Sequence, residues 1–94
     1  ENDVDELFSL LKMNDVFNTG CVSINVLLVI LDRFGVKLTN QEGVYLVKYI
    51  GNENDQISIY DFISALYNTT NPAFPPIVKS ALYKVKLRQK ISLK

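Results

Sequence analysis

The sequence contains no histidine and a single cysteine, and these shortages limit the chemistry that the chain can perform. Histidine is the usual general base near neutral pH and the commonest side-chain ligand of transition metals. Cys21 cannot form an internal disulfide, and the sequence offers no histidine to activate it as a nucleophile. A glycine-rich phosphate-binding loop is also lacking. We therefore expect a protein that is not an enzyme, and its cysteine content fits a reducing, cytoplasmic compartment.

Long apolar runs are missing as well. The longest, Val26 to Leu31, is far shorter than the roughly 18 consecutive apolar residues that a transmembrane helix needs. However, 48% of the 94 residues are hydrophobic and 21% are charged, which is typical of a folded domain and not of a disordered chain. We expect one small globular domain that has no membrane partner.

Acidic residues are absent from the last third of the chain. Residues 62–94 carry six basic residues and no acidic one, whereas residues 1–61 hold all ten acids and only four bases. This asymmetry suggests that the basic end contacts an acidic surface, and the acidic body of the same chain is one candidate. A solvated basic tail is the simpler alternative. Because the body is acidic, nucleic acid is not an expected partner.

Apolar residues recur at helical spacing in five segments, which short polar stretches separate. Thr39 and Glu42 form a capping-box pattern, which predicts that one helix begins near Asn40. The five predicted helices are Asp5 to Asn14, Ile24 to Phe34, Asn40 to Ile50, Ile59 to Tyr67, and Pro76 to about Arg88. From Tyr83 to Lys94 a period-two alternation competes with the last helix. We favour the helix, because a terminal strand without a partner is only marginally stable.

The first four helices form two similar units, each with a helix, a polar loop that ends in a short apolar tripeptide, and a second helix. The tripeptides are Cys21 to Ser23 and Gln56 to Ser58, and their central residues, Val22 and Ile57, lie 35 residues apart. A repeat of this length is typical of paired units that bury their apolar faces on each other.

These units resemble the EF-hand superfamily, with calmodulin and the myosin light chains as the most similar members. In the first unit Asp15 matches loop position one, Gly20 position six and Val22 the apolar position eight. In the second unit Leu46 to Ile50 resembles an incoming helix, and Gln56 to Phe62 resembles the end of a loop and the start of its outgoing helix. The resemblance covers residues 7–67.

The resemblance implies an all-α fold in which residues 1–70 form a degenerate EF-hand pair. It also implies that the position-eight residues pair in a short two-stranded β bridge, a role that suits the β-formers Val22 and Ile57. Residues 71–94 would add a proline-containing loop and a basic C-terminal helix or tail, which we expect to pack on the same domain.

The first loop lacks most of the ligands that calcium needs. Calcium takes six to eight oxygens, and an EF-hand loop supplies side-chain oxygens at positions one, three, five and twelve. Positions three, five and twelve of this loop are Phe17, Thr19 and Val26, so Asp15 is the one carboxylate left. We therefore expect no metal site in the first loop.

The second loop is ambiguous in register. Position one is Ile50 or Gly51, and neither is a carboxylate. The side chains that would hold a weak cation site, if any, are Asn52, Asn54, Asp55 and Asp61. We favour their interpretation as turn formers and solvated charge, so no cofactor is expected and calcium would bind weakly at most.

The second predicted helix, Ile24 to Phe34, is apolar on more sides than one buried face requires. A compact lobe that buries it fully is one explanation, and a partner that covers it is another. We expect the partner to be a protein that places an amphipathic helix in an apolar groove. The groove would be lined by Val26, Leu27, Val29, Ile30, Phe34, Leu46, Ile50, Phe62 and Leu66.

The favoured hypothesis is a calcium-independent protein-interaction module within a larger, cytoskeleton-associated intracellular protein. One alternative is a structural lobe whose groove is filled by its own C-terminal helix, and another is a weak calcium sensor that uses only the second loop. For the C-terminal helix we predict docking against the second helix. The docking residues would be Ile77, Val78, Ala81, Leu82 and Val85.

Overall fold

The computed structural model describes residues 4–89, with side chains described for residues 6–87. The helices and strands are α1 Val4–Met13, β1 Cys21–Ser23, α2 Ile24–Arg33, α3 Asn40–Ile50, β2 Gln56–Ser58, α4 Ile59–Leu66 and α5 Pro76–Gln89. The prediction of a mainly helical domain is confirmed, and the five predicted helices end within one residue of the observed ones. No helix within residues 4–89 is both long enough and apolar enough to cross a membrane.

The two strands form a small antiparallel sheet that joins the two units. Val22 lies opposite Ile57, and both side chains are buried. The pairing extends past the strand ends, where the Ile24 amide donates to the Asp55 carbonyl at 3.0 Å and the Ile59 amide donates to the Gly20 carbonyl at 2.8 Å. The predicted bridge between the two apolar tripeptides is therefore confirmed.

Side-chain caps begin three of the helices. The hydroxyl of Ser23 accepts from the Val26 amide at 3.2 Å, and the hydroxyl of Ser58 accepts from the Asp61 amide at 3.3 Å. Each serine is also the last residue of its strand, so the chain passes directly from strand to helix in both units. α3 begins with the predicted capping box of Thr39 and Glu42.

One hydrophobic core contains residues from both units and from α5. Leucine, isoleucine and valine dominate it, and Phe62 is its one fully buried aromatic side chain within the described residues. The largest completely buried side chains are Phe62, Leu7, Leu11, Leu27, Leu31, Leu46, Ile57, Ile59, Leu66, Leu82 and Val78. Because this set includes α5 residues, residues beyond the proline-containing loop share the core of the two units.

α5 packs mainly against α3 and α4, so the prediction that it docks chiefly on α2 is wrong. The main physical reason is apolar burial, because Val78, Leu82 and Val85 of α5 are almost completely buried there. An ion pair adds to this contact, since Lys84 of α5 lies 3.0 Å from the carboxylate of Glu42 on α3. The competing strand pattern after Tyr83 is not adopted as far as Gln89, where α5 ends. The rest of that pattern, residues 90–94, lies outside the described residues.

We expect Phe62→Ala to lower the free energy of unfolding by about 3–5 kcal/mol, because the ring is completely buried. Phe34→Ala should cost less, because Phe34 is only half-buried at the C-terminal end of α2. The matched control is Phe17→Ala, since Phe17 is 86% exposed and its loss should change stability by less than about 0.5 kcal/mol. Urea denaturation of the three variants measures these differences. Equal losses at Phe62 and Phe17 would contradict the assignment of the core.

Candidate functional site

The nine predicted groove residues divide into a buried group and an accessible group. Val29 of α2 is 60% exposed, and Val26 and Phe34 are half-buried. The other six are buried in the core, namely Leu27, Ile30, Leu46, Ile50, Phe62 and Leu66. Four of these six belong to α3 and α4, the two helices against which α5 packs.

α5 packs against α3 and α4, and we call the surface of these two helices that it covers the α5 seat. Along α5 the residues Val78, Ala81, Leu82 and Val85 are at most 1% exposed. Their spacing of i, i+3, i+4 and i+7 places them on one face of the helix. Ile77 is half-buried and Leu87 is 52% exposed, which limits the buried apolar face. Lys86 is also buried, at 5% exposed, so the buried surface of α5 includes one charged residue beside Val85. The α5 seat therefore holds an amphipathic helix, and that helix belongs to the same chain.

A buried carboxylate lies where α3 meets α5. Glu42 is 6% exposed, and its Oε1 accepts from the Thr39 amide at 2.8 Å and from Lys84 Nζ at 3.1 Å. Its Oε2 lies 3.0 Å from the same ammonium group. Burial disfavours the charged form, but these hydrogen bonds outweigh it and hold the pKa of Glu42 below its usual value. The capping pattern identified Glu42 from sequence, but nothing in the sequence indicated Lys84 as its partner.

The outer side of α2 remains accessible. Between α1 and α2 lies a depression of about 340 Å³, lined largely by Leu10, Met13, Val26 and Val29. A second depression of about 380 Å³ lies between α2 and α3, where Gly43 leaves space beside Leu28. The expectation that α2 is more apolar than its buried face requires thus corresponds to two shallow apolar depressions, one on each side of this helix.

The first loop is closed by its own hydrogen bonds. Asp15 Oδ1 accepts from the Thr19 amide at 2.9 Å and from the Thr19 hydroxyl at 3.1 Å, and Oδ2 accepts from the Gly20 amide at 2.6 Å. Chiefly because the Thr19 amide stabilises the ionised form, the pKa of Asp15 lies below its usual value. Phe17, at loop position three, is 86% exposed. The carboxylate at the start of this loop thus binds backbone amides of the loop itself.

Asn52 takes the equivalent role in the second loop. Its Oδ1 accepts from the Asn54 amide at 2.9 Å and from the Gln56 amide at 3.3 Å. Gly51 precedes it where two backbone segments lie close together, so that an added Cβ would lie only 2.6 Å from the Gln56 carbonyl oxygen. α3 therefore ends at Ile50 and the loop begins at Gly51, which agrees with the register that places Gly51 at position one.

Of the four cation candidates, Asn52, Asn54 and Asp55 lie in the second loop, and Asp61 lies in the helix that follows it. Asp61 lies in the first turn of α4 and lines a depression with Tyr49 and Ser64. Asn54 and Asp55 are exposed, and the Asn52 oxygen is occupied by backbone amides. Within the described part of the chain, no three acidic or cysteine side chains cluster in a way that could hold a metal ion.

Comparisons with known protein families, with curated proteins and with solved structures found no match to this chain.

The pH dependence of stability tests the contribution of the two buried carboxylates. Asp15 and Glu42 both have a lowered pKa in the folded state, so the stability they add is complete above the usual carboxyl pKa of about 4. That stability is lost as the pH falls through the folded values. We expect the free energy of unfolding to fall as the pH drops below about 5, and to fall less steeply in Glu42→Gln. Urea denaturation at a series of pH values measures this, and identical profiles for parent and variant would contradict it.

Proposed function

We propose that this protein is a calcium-independent protein-interaction module of the EF-hand type, and that its task is to hold an amphipathic helix in the α5 seat. The observation that carries the proposal is the α5 face itself, whose residues Val78, Ala81, Leu82 and Val85 are completely or almost completely buried. Recognition of one helix face by an apolar groove is a common mode of protein binding. In the conformation described here the resident helix α5 occupies the seat.

Several features support the EF-hand type. Two helix–loop–strand–helix units pair through the residues at loop position eight, Val22 and Ile57. Gly20 at position six has a φ of +82°, a conformation that favours glycine. In both units the outgoing helix begins directly after the strand, at Ile24 and Ile59.

The hydrogen bonds of the loops support calcium independence. Calcium would have to take the Asp15 carboxylate away from the Thr19 and Gly20 amides, and the residues at positions three and twelve offer no side-chain oxygen in return. In the second loop the Asn52 oxygen is likewise bound to backbone amides. Both loops are therefore stabilised without an ion.

Helix binding can be tested with a variant in which α5 no longer packs on α3 and α4 and with a peptide that takes the place of α5. Leu82→Asp places a charge at a completely buried position, whereas Leu87→Asp makes the same change at a position that is 52% exposed. The probe is a synthetic peptide of residues 71–89. We expect the Leu82→Asp chain to bind this peptide, and the Leu87→Asp chain to bind it poorly because its own α5 remains seated.

Titration of each variant with the fluorescently labelled peptide measures binding by anisotropy, and circular dichroism confirms that each chain is folded. If a folded Leu82→Asp chain does not bind the peptide, the seat does not act as a helix-binding site. If, in addition, a large excess of peptide does not displace α5 from the parent or the Leu87→Asp chain, α5 is a permanent structural part of the lobe.

Calcium should have little effect on the folded chain, because a ligand raises stability only by binding the folded state. We expect equal melting temperatures in millimolar calcium and in chelator for the parent. Calorimetric titration of calcium into the parent and into Asp61→Ala tests the second loop. Heat of binding that disappears in Asp61→Ala would identify a calcium sensor in place of a calcium-independent module.

A further inference from the structure

We infer that Glu42 is a specificity-determining residue of the α5 seat, which accepts an amphipathic helix that carries a lysine or arginine six residues after the first residue of its buried face. In α5 that first residue is Val78 and the base is Lys84. This inference rests on the helix-binding function proposed above, and it adds the chemistry of the partner: apolar residues at i, i+3, i+4 and i+7 with a cation at i+6.

The argument begins with the surroundings of the carboxylate. Glu42 is 6% exposed, and Thr39 supplies a single amide hydrogen bond, which is made to Oε1. For Oε2, the partner within the described residues is the Lys84 ammonium at 3.0 Å. A helix without a base at this position would leave a buried carboxylate oxygen unpaired, and such an oxygen loses its hydration without compensation.

The position of the base matters as well as its presence. α5 carries three lysines whose side chains are described, Lys79, Lys84 and Lys86. Of these, Lys84 is the one that forms an ion pair within residues 6–87. It is 43% exposed on its side chain, so the ammonium reaches Glu42 from the rim of the seat. An incoming helix can supply a cation by the same route while its apolar face fills the seat.

Glu42→Gln separates the charge of this residue from its role as a helix cap. A capping box accepts glutamine in place of glutamate, so the variant can still accept a hydrogen bond from the Thr39 amide. What it loses is the negative charge and the second acceptor oxygen, both of which face the Lys84 ammonium. Any change in the choice of helix can therefore be attributed to the ion pair.

The experiment uses two chains and two peptides. The chains are Leu82→Asp, which frees the seat, and the double variant Leu82→Asp with Glu42→Gln. The peptides are residues 71–89 with the native sequence and the same peptide with Lys84→Gln. We expect the Leu82→Asp chain to bind the native peptide about tenfold more tightly than the altered one. In the double variant this preference should fall below about twofold.

The outcomes separate this inference from the proposed function. Equal binding of both peptides to the Leu82→Asp chain would overturn the role of Glu42 and leave the helix-binding function intact. Failure of both peptides to bind would overturn the function.

If Leu82→Asp does not fold, hydrogen exchange of the α5 amides in the full chain replaces the titration. Glu42→Gln, Lys84→Gln and the double variant should then each speed opening of α5 to a similar extent. Independent, additive effects of the two single variants would overturn the pairing.

Discussion

The antiparallel pairing of Val22 with Ile57 is the contact on which the arrangement of the four helices of the two units depends. The strands are only three residues long, and an isolated pair of this size is barely stable in water. Here both central side chains are buried in the core, and this apolar burial stabilises a strand pair that is too short to be stable alone. Because Ser23 and Ser58 end the strands and cap the next helices, the strand register also sets where α2 and α4 begin.

Two largely buried carboxylates, Asp15 and Glu42, form charge-assisted hydrogen bonds inside this domain. Asp15 closes the first loop with backbone amides, and Glu42 joins the start of α3 to α5. Both carboxylates are largely removed from solvent, where hydrogen bonds to a charged group are stronger than at the surface. By contrast, the pair of Asp32 and Lys37 is exposed on both sides and contributes little to stability. Within residues 6–87, the acidic body and the basic C-terminal part therefore meet at the contact of Glu42 with Lys84, where the carboxylate is buried and the ammonium is partly exposed.

Local patterns predicted most of the fold. The helices, the capping box at Thr39 and the Val22–Ile57 pair could be recognised because each depends on residues close in sequence or on a simple repeat. The packing partner of α5 could not be recognised, because the contacts that define it, such as that of Lys84 with Glu42, join residues 42 positions apart. An apolar face on α2 suggested a docking surface but could not show which helix it would meet.

The candidate site was predictable to a similar extent. Helical spacing identifies a buried face, so it predicts apolar residues such as Leu46 and Phe62 as part of a groove, and both are buried. Whether that face is open or covered depends on the path of the chain after residue 70, and the loop between α4 and α5 carries no pattern that fixes this path. The internal hydrogen bonds of Asp15 and Asn52 were also invisible in sequence, although both residue types commonly bond to nearby amides.

The position of α5 at the end of the described chain has a consequence during synthesis on the ribosome. α3 and α4 are complete at Leu66, but the helix that covers them ends at Gln89. At about 5–20 residues per second, translation needs roughly one to five seconds to make the intervening segment. During that interval the apolar surface of α3 and α4 is uncovered, and a nascent chain in this state is open to chaperones and to helices of neighbouring proteins.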